Sequence, residues 1–190
     1  MFETLKVRLN GLSPLLMHNG QLANPLNPFT KQLKAVTSKR KKTDDDHAEV
    51  ARIEWHASLY IDSDGRLCMP GENIEACLIG GAKKSKLGTQ FKSSVFVDGS
   101  PVIDYGGRKK AAELWGDDQY KDIRGVKVGT ARVMRCRPIF RKWSIVVDIK
   151  YNPEMANEAD VAKAMADAGQ QVGLGDFRPK FGRFEVELLD

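Results

Sequence analysis

The sequence predicts an α+β fold, ferredoxin-like βαββαβ, in a single domain with large insertions. Three observations predict it. Thr4 to Asn10 alternates, with Leu5, Val7 and Leu9 on one side, as a half-buried strand does. Ile74, Cys77, Leu78 and Gly81 recur at helical spacing. Near the C-terminus, Asn157 precedes a second helical stripe of Val161, Met165, Ala168 and Val172, and Phe184, Val186 and Leu188 mark a closing strand.

Between these anchors the elements follow in order. Ser13-Pro14 ends the first strand. Gln21 to Thr43 is polar, contains Pro25 and Pro28, and reads as a long mobile loop. Asp45 to His56 reads as a helix with acids in its first turn, where they suit the helix dipole. Leu59 to Ile61 and Arg66 to Met69 flank Ser63-Asp64-Gly65 as a hairpin. Pro70-Gly71 turns into the helix of Ile74, and Gly80-Gly81 ends it or brings it against a neighbour. Ser94 to Val97 and Val102 to Tyr105 read as short strands, and Ala111 to Trp115 as a helical turn. Gly125 and Gly129 bracket a hairpin tip. Thr130 to Arg137 and Trp143 to Tyr151 read as a strand pair, with Ile145, Val147 and Ile149 sharing a face. Gly173-Leu174-Gly175 closes the last helix.

The 190 residues suit one domain better than two small ones poor in core. A hydrophobic share of 42% fills such a core. No apolar run approaches the roughly 20 residues that cross a bilayer. Glu3, Lys6 and Arg8 interrupt the N-terminal apolar residues, so no signal peptide is expected. The 3 cysteines, Cys68, Cys77 and Cys136, show no CxxC spacing; buried, inert thiols in a reducing cytoplasm are expected.

A formal charge of +5 and a pI near 9.1 permit a nucleic-acid partner without requiring one. Placement is more telling. Basic residues gather at Lys39-Arg40-Lys41-Lys42, at Lys83, Lys84 and Lys86, at Arg108-Lys109-Lys110, between Arg132 and Lys142, and at Arg178, Lys180 and Arg183. The first run attracts phosphates, or is a solvated loop whose field Asp44, Asp45 and Asp46 partly cancel. Arg135 and Arg137 share one strand face, fit to hold phosphates or simply to meet solvent. Glycines beside Arg178, Lys180 and Arg183 let backbone approach a ligand and offer amides to phosphate oxygens, or merely turn the chain. The three histidines, His18, His47 and His56, lack metal-ligand spacing, and no nucleophile or phosphate-loop motif occurs. No catalytic residue, metal or cofactor is assigned.

Three segments resemble one family. They are Leu12-Ser13-Pro14-Leu15-Leu16 after the first strand, the turn Cys68-Met69-Pro70-Gly71-Glu72-Asn73-Ile74-Glu75-Ala76 into a helix, and Gly173-Leu174-Gly175 with Phe181-Gly182-Arg183-Phe184 before the last strand. In that order they resemble the RAMP superfamily, most closely the backbone subunits of CRISPR effector complexes, and fit a standalone phage or prophage member. The resemblance implies an RRM-like palm (1–14, 66–86 and 130–190) with insertions at 18–62 and 88–129. It implies a thumb hairpin ahead of the second palm strand, with Arg124 and Lys127 at its tip. It also implies that Lys83, Lys84 and Lys86 face a bound strand, where they otherwise only complement a helix dipole. Family members that cut target RNA use an acid after the first strand. Here that loop offers His18 and Asn19, with no acid before Asp44.

The expectation is a non-catalytic protein that binds single-stranded RNA or DNA and assembles head-to-tail with copies of itself. The candidate contacts are His18, the Lys39 to Lys42 run, the Lys83 to Lys86 cluster, Arg124, Lys127, Arg135, Arg137, Arg178, Lys180 and Arg183. Two alternatives stand beside it. One is an endoribonuclease using His18 or an acid of the Asp44 run. The other is a protein-interaction module that mimics a CRISPR subunit.

Overall fold

A computed structural model describes residues 1–107 and 110–189 of the chain. Arg108 and Lys109 of one basic cluster lie outside the described residues. The protein is a mixed α+β structure with two antiparallel sheets. Its strands are β1 (Glu3–Gly11), β2 (Leu15–Leu16), β3 (Val95–Val97), β4 (Ile103–Asp104), β5 (Lys121–Val128), β6 (Ala131–Phe140), β7 (Ser144–Tyr151) and β8 (Phe184–Leu188). Its α-helices are α1 (Pro28–Thr37), α2 (Asp44–Ser58), α3 (Gly71–Ala82), α4 (Gly88–Ser94) and α5 (Glu158–Gln171).

The large sheet runs β3-β7-β1-β8, with β4 also on β7. Register explains the pairing of β1 with β7. Leu5 faces Ile149, Val7 faces Val147 and Leu9 faces Ile145, so both apolar faces point to the same side. α3 and α5 cover that side. Ile74, Cys77 and Leu78 of α3, and Val161, Met165 and Ala168 of α5, are all but fully buried there. Gly81 allows the helices to meet: a Cβ at this position would lie 2.0 Å from the Ala164 carbonyl oxygen. Asn157 caps α5 by accepting a hydrogen bond from the Asp160 amide at 2.8 Å.

The small sheet runs β2-β6-β5. β5 and β6 form one long hairpin, in register from Lys121 opposite Pro138 to Val128 opposite Ala131. Gly129, at φ 60°, starts its turn.

Four expectations need correction. The Gln21 to Thr43 stretch is an ordered segment, with a 3-10 turn at Gly20–Ala23 followed by α1. One of the two prolines that suggest a loop, Pro28, in fact starts a helix, while Pro25 lies in the turn before it. Pro28 occupies the first turn, and Asn27 caps it by accepting from the Phe29 amide at 2.9 Å. Second, the segments either side of Ser63-Asp64-Gly65 make isolated bridges, Ile61 with Leu67 and Cys68 with Val102, rather than a ladder. The Asp62 carboxylate closes the turn by accepting from the amides of Asp64 and Arg66.

Third, Thr130 to Arg137 does not pair with Trp143 to Tyr151. Both edges of β6 are occupied, by β5 and by β2, while β7 belongs to the large sheet. Fourth, the second strand of the large sheet is β3, inside the stretch read as an insertion. The long hairpin therefore lies after that strand, between β3 and β7, and 131–140 belongs to the hairpin. Ser94 to Val97 reads as a short strand, but three paired residues are too few for alternation to show which sheet it joins.

No helix among the described residues is long and apolar enough to cross a membrane. Among them, no three His, Cys, Asp or Glu side chains gather as a metal site.

Candidate nucleic-acid interface

Beside the β5–β6 hairpin lies an open groove of about 760 Å³. β6 supplies Arg135 and Arg137, β5 supplies Gly125, Val126 and Lys127, and the loop after β2 supplies His18. Arg124 and Lys127 are thus on the paired strand rather than at the hairpin tip, which falls after Val128. Leu22 and Leu33 form an apolar wall. Both come from the segment read as a mobile loop. Asp176 and Phe177, from the loop after α5, complete the rim.

Most of the basic side chains here are held by acids. Glu54, buried on α2, accepts hydrogen bonds from Arg135 and from the Cys136 amide. Arg124 pairs with Asp122 and stacks 4.7 Å from the Phe181 ring centroid and 5.3 Å from that of Phe177. Arg137 Nη1 lies 2.8 Å from Asp176 Oδ2. The approach is out of line for a hydrogen bond. Arg137 Nε and Asp176 Oδ2 are consequently buried with no hydrogen-bond partner among the described residues. Buried polar atoms in this state are uncommon and invite a ligand or water.

His18 stands at a junction. It lines the groove, a pocket of about 190 Å³ behind it, and a small cavity reaching Glu54 and Ser58. Its ring is open to solvent on one side. Burial on the other side, and then the charge of Arg137, lower its pKa from the ordinary 6.5. The imidazole is therefore mainly neutral at pH 7, able to donate and accept one hydrogen bond each.

The glycine loop plays a different part from the one its composition suggests. Its amides are spent within the protein. Gly173 donates to the Ala168 carbonyl, Leu174 to Gly182, Asp176 to Leu16 and Gly182 to Pro14, all at 2.8 Å. At Gly182, φ is 72° and a Cβ would lie 1.7 Å from the Leu174 carbonyl oxygen. The glycines fold the loop onto itself and onto β2; these four amides are not left to cradle phosphate. What the loop turns toward the groove and the pocket behind it is side chains: Asp176, Phe177 and Arg178.

The remaining predicted contacts scatter. Arg178 lines the pocket behind the groove. Lys180 and Arg183 border a separate shallow depression with Leu12, Ser13 and Pro179. Lys83, Lys84 and Lys86 are exposed beyond the C-terminal end of α3 and do not line the groove. They lie roughly 10 Å or more along the helix axis from Ala76, which does border the inner pocket. Arg40 and Lys41 are exposed between α1 and α2. Lys39 pairs with Asp46 at 2.5 Å and holds that carboxyl down at about 2, while Lys42 donates to the Lys39 carbonyl at 3.2 Å. Asp46 also reaches back to the Thr43 amide, so the acid run is a capping box.

Sequence reasoning missed Phe177, Asp176, Glu54, Leu22 and Leu33. An aromatic next to Arg178 in a glycine-rich loop is a readable signal for Phe177. The others have none, because their roles depend on contacts distant in sequence.

No family model matches the chain, and no curated protein matches it. Among solved structures, the crystal structure of Cmr6 from Pyrococcus furiosus aligns with 97% of this chain and 98% of that chain, at a TM-score of 0.42 and 9% identity.

Proposed function

We propose that this chain is a non-catalytic single-stranded nucleic-acid-binding protein of the RAMP type, holding the strand in the groove between the hairpin and the loop after α5. The observation that carries the reading is the groove itself. It combines a cation (Lys127, with Arg135 and Arg137 beside it already held by Glu54 and Asp176), a partly exposed aromatic (Phe177) and an apolar wall, a combination suited to a phosphate backbone with stacked bases.

Topology supports the family assignment. Counting β1, β3, β7 and β8 as strands one to four, the order two-three-one-four with two helices on one side is that of a ferredoxin-like palm. The β5–β6 hairpin then corresponds to the thumb. Head-to-tail assembly along the strand completes the proposal and rests on the family resemblance.

The test is a titration of labelled single-stranded and duplex RNA and DNA at 50 and 200 mM salt, with particle mass measured by light scattering. Saturable binding to single strands, weakened by salt, and mass that grows with oligonucleotide length are expected. Absence of binding at the lower salt removes the proposal.

One observation favours a second reading. A neutral His18 at the junction of three cavities is placed for general acid–base work on RNA. Incubating end-labelled RNA with the protein, with and without a divalent ion, decides it; an intact substrate in both samples excludes the nuclease.

A further inference from the structure

Two arginines of the groove are tied to acids, and the two ties are not alike. Arg135 meets Glu54, which is buried on α2 and also accepts from the Cys136 amide. The cavity beside that carboxylate is about 20 Å³, room for about one water, so Glu54 has nowhere to turn.

Asp176 is held less well. Its Oδ2 lies 2.8 Å from Arg137 Nη1, yet the approach is out of line. Oδ2 and Arg137 Nε are both buried without a hydrogen-bond partner among the described residues. The Asp176 amide donates to the Leu16 carbonyl at 2.8 Å, which fixes the root of the side chain. A carboxylate tethered in this way neutralises the guanidinium without making the directional bonds of a good pair. Asp176 also has space to move. Its side chain is 30% exposed, and it lines both the groove and the pocket of about 190 Å³ behind it. Donors stand on that pocket's walls. Asn73 Nδ2 meets the Met69 sulfur, a weak acceptor, at 3.6 Å, and Arg178 makes one contact of 3.5 Å to the Gly173 carbonyl.

We propose that Arg137 is a phosphate ligand whose place Asp176 occupies in the free protein, a reading that rests on the groove binding nucleic acid. An incoming phosphodiester displaces the carboxylate, which turns into the inner pocket toward Arg178 and Asn73. The phosphate enters from the groove untethered, so it meets the guanidinium in line, as a charge-assisted pair. Arg135 stays with Glu54. The exchange frees Arg137 and engages Arg178, so the number of cations meeting the strand is unchanged in the wild type.

The test measures uridine and deoxyadenosine decamers by fluorescence anisotropy between 50 and 200 mM salt, with the urea midpoint of each protein as the check on folding. Asp176→Asn keeps the shape of the side chain, removes its charge and leaves Arg137 and Arg178 both free. It should bind both decamers about tenfold tighter than the wild type. Its salt slope should steepen by about 0.7, the value for one further phosphate on a single strand. Asp176→Ser removes the same carboxylate and should behave alike. Arg137→Gln added to Asp176→Asn should return affinity and slope to the wild-type values. Asp148 lies on β7, paired with Lys6 at 3.8 Å outside the groove. Asp148→Asn makes the same change in net charge and should stay within about twofold of the wild type. Folded Asp176 variants that bind no tighter overturn the exchange and leave the groove standing. So does a gain that Asp148→Asn matches, that survives loss of Arg137, or that appears with one decamer alone. Absence of binding by every one of these proteins overturns both readings.

Discussion

Glu54 is a carboxylate buried in the protein interior, at 5% exposure, and its position is explained by what it holds. It ties α2 to β6 by accepting from Arg135 and from the Cys136 amide. Glu54→Ala leaves both donors without an acceptor. Because Arg135 keeps 35% of its side chain in solvent, the cost is at the moderate end, about 2–3 kcal/mol, read as a lower urea midpoint with unchanged slope. His18 makes a second prediction, about pH. It is faced by Arg135 and Arg137, which lower its pKa, and by Asp176 and Glu54, which raise it, with burial the largest influence. The folded pKa lies below the unfolded 6.5, so the unfolded chain binds the proton first as pH falls. The contribution is whole above pH 6.5 and is lost as pH drops through the folded value. Between pH 7 and pH 5 the urea midpoint of the wild type should therefore fall more steeply than that of His18→Gln. Parallel curves would contradict the assignment. At this scale the sequence was informative about charge and silent about partners. Arg135, Arg137 and Lys39 are legible as cations, but Glu54 and Asp176 come from distant stretches and neutralise two of them only once folded.

The elements most legible from sequence are those whose periodicity runs long enough to be read. β1, α3, α5, β7 and β8 all present apolar stripes at their proper spacing; the first four bury theirs, while in β8 only Phe184 is fully buried and Leu188 is exposed. β3 and β4 are legible as short strands, within Ser94 to Val97 and Val102 to Tyr105, but are too short to show which sheet they join. The partners of β6 escape for another reason: alternation predicts a strand, and only the competition between two sheets decides which neighbour it takes. α1 escapes because proline at a first helical turn and proline in a loop look alike without the Asn27 cap in view. Helix packing supplies the prediction at this scale. An isolated helix gains about 1 kcal/mol when glycine becomes alanine. Gly81→Ala should lose stability instead, because its Cβ meets backbone of α5, at 2.0 Å from the Ala164 carbonyl oxygen and 2.7 Å from the Ala168 amide nitrogen. Gly80→Ala meets only the side chain of Val172, at 3.1 Å, and should be much the milder change. Thermal melts of the two variants should separate, with Gly81→Ala lower by about 1–3 kcal/mol at the wild-type midpoint.

At the scale of the whole molecule, a net charge of +5 overstates the cations free to meet phosphate. Lys39, Arg124, Arg135 and Arg137 already have acidic partners. Lys127, Arg178, Lys180 and Arg183 are candidates to neutralise a strand running from β5 past the loop after α5. Four contacts with a single strand correspond to a slope of about −3 in the logarithm of affinity against the logarithm of salt concentration. A slope near zero, or one of about −7, would show a different footprint. Fold and grip also come from different parts of the chain. The large sheet and its two helices supply the stable frame. The groove takes its walls from the 3-10 turn, α1, the β5–β6 hairpin and one loop, and Glu54 on α2 moors that hairpin from below. The two insertions are thus bound to each other as well as to the frame. They would have to change together, as a matched set, for a descendant of this chain to hold a different cargo while keeping the same chassis.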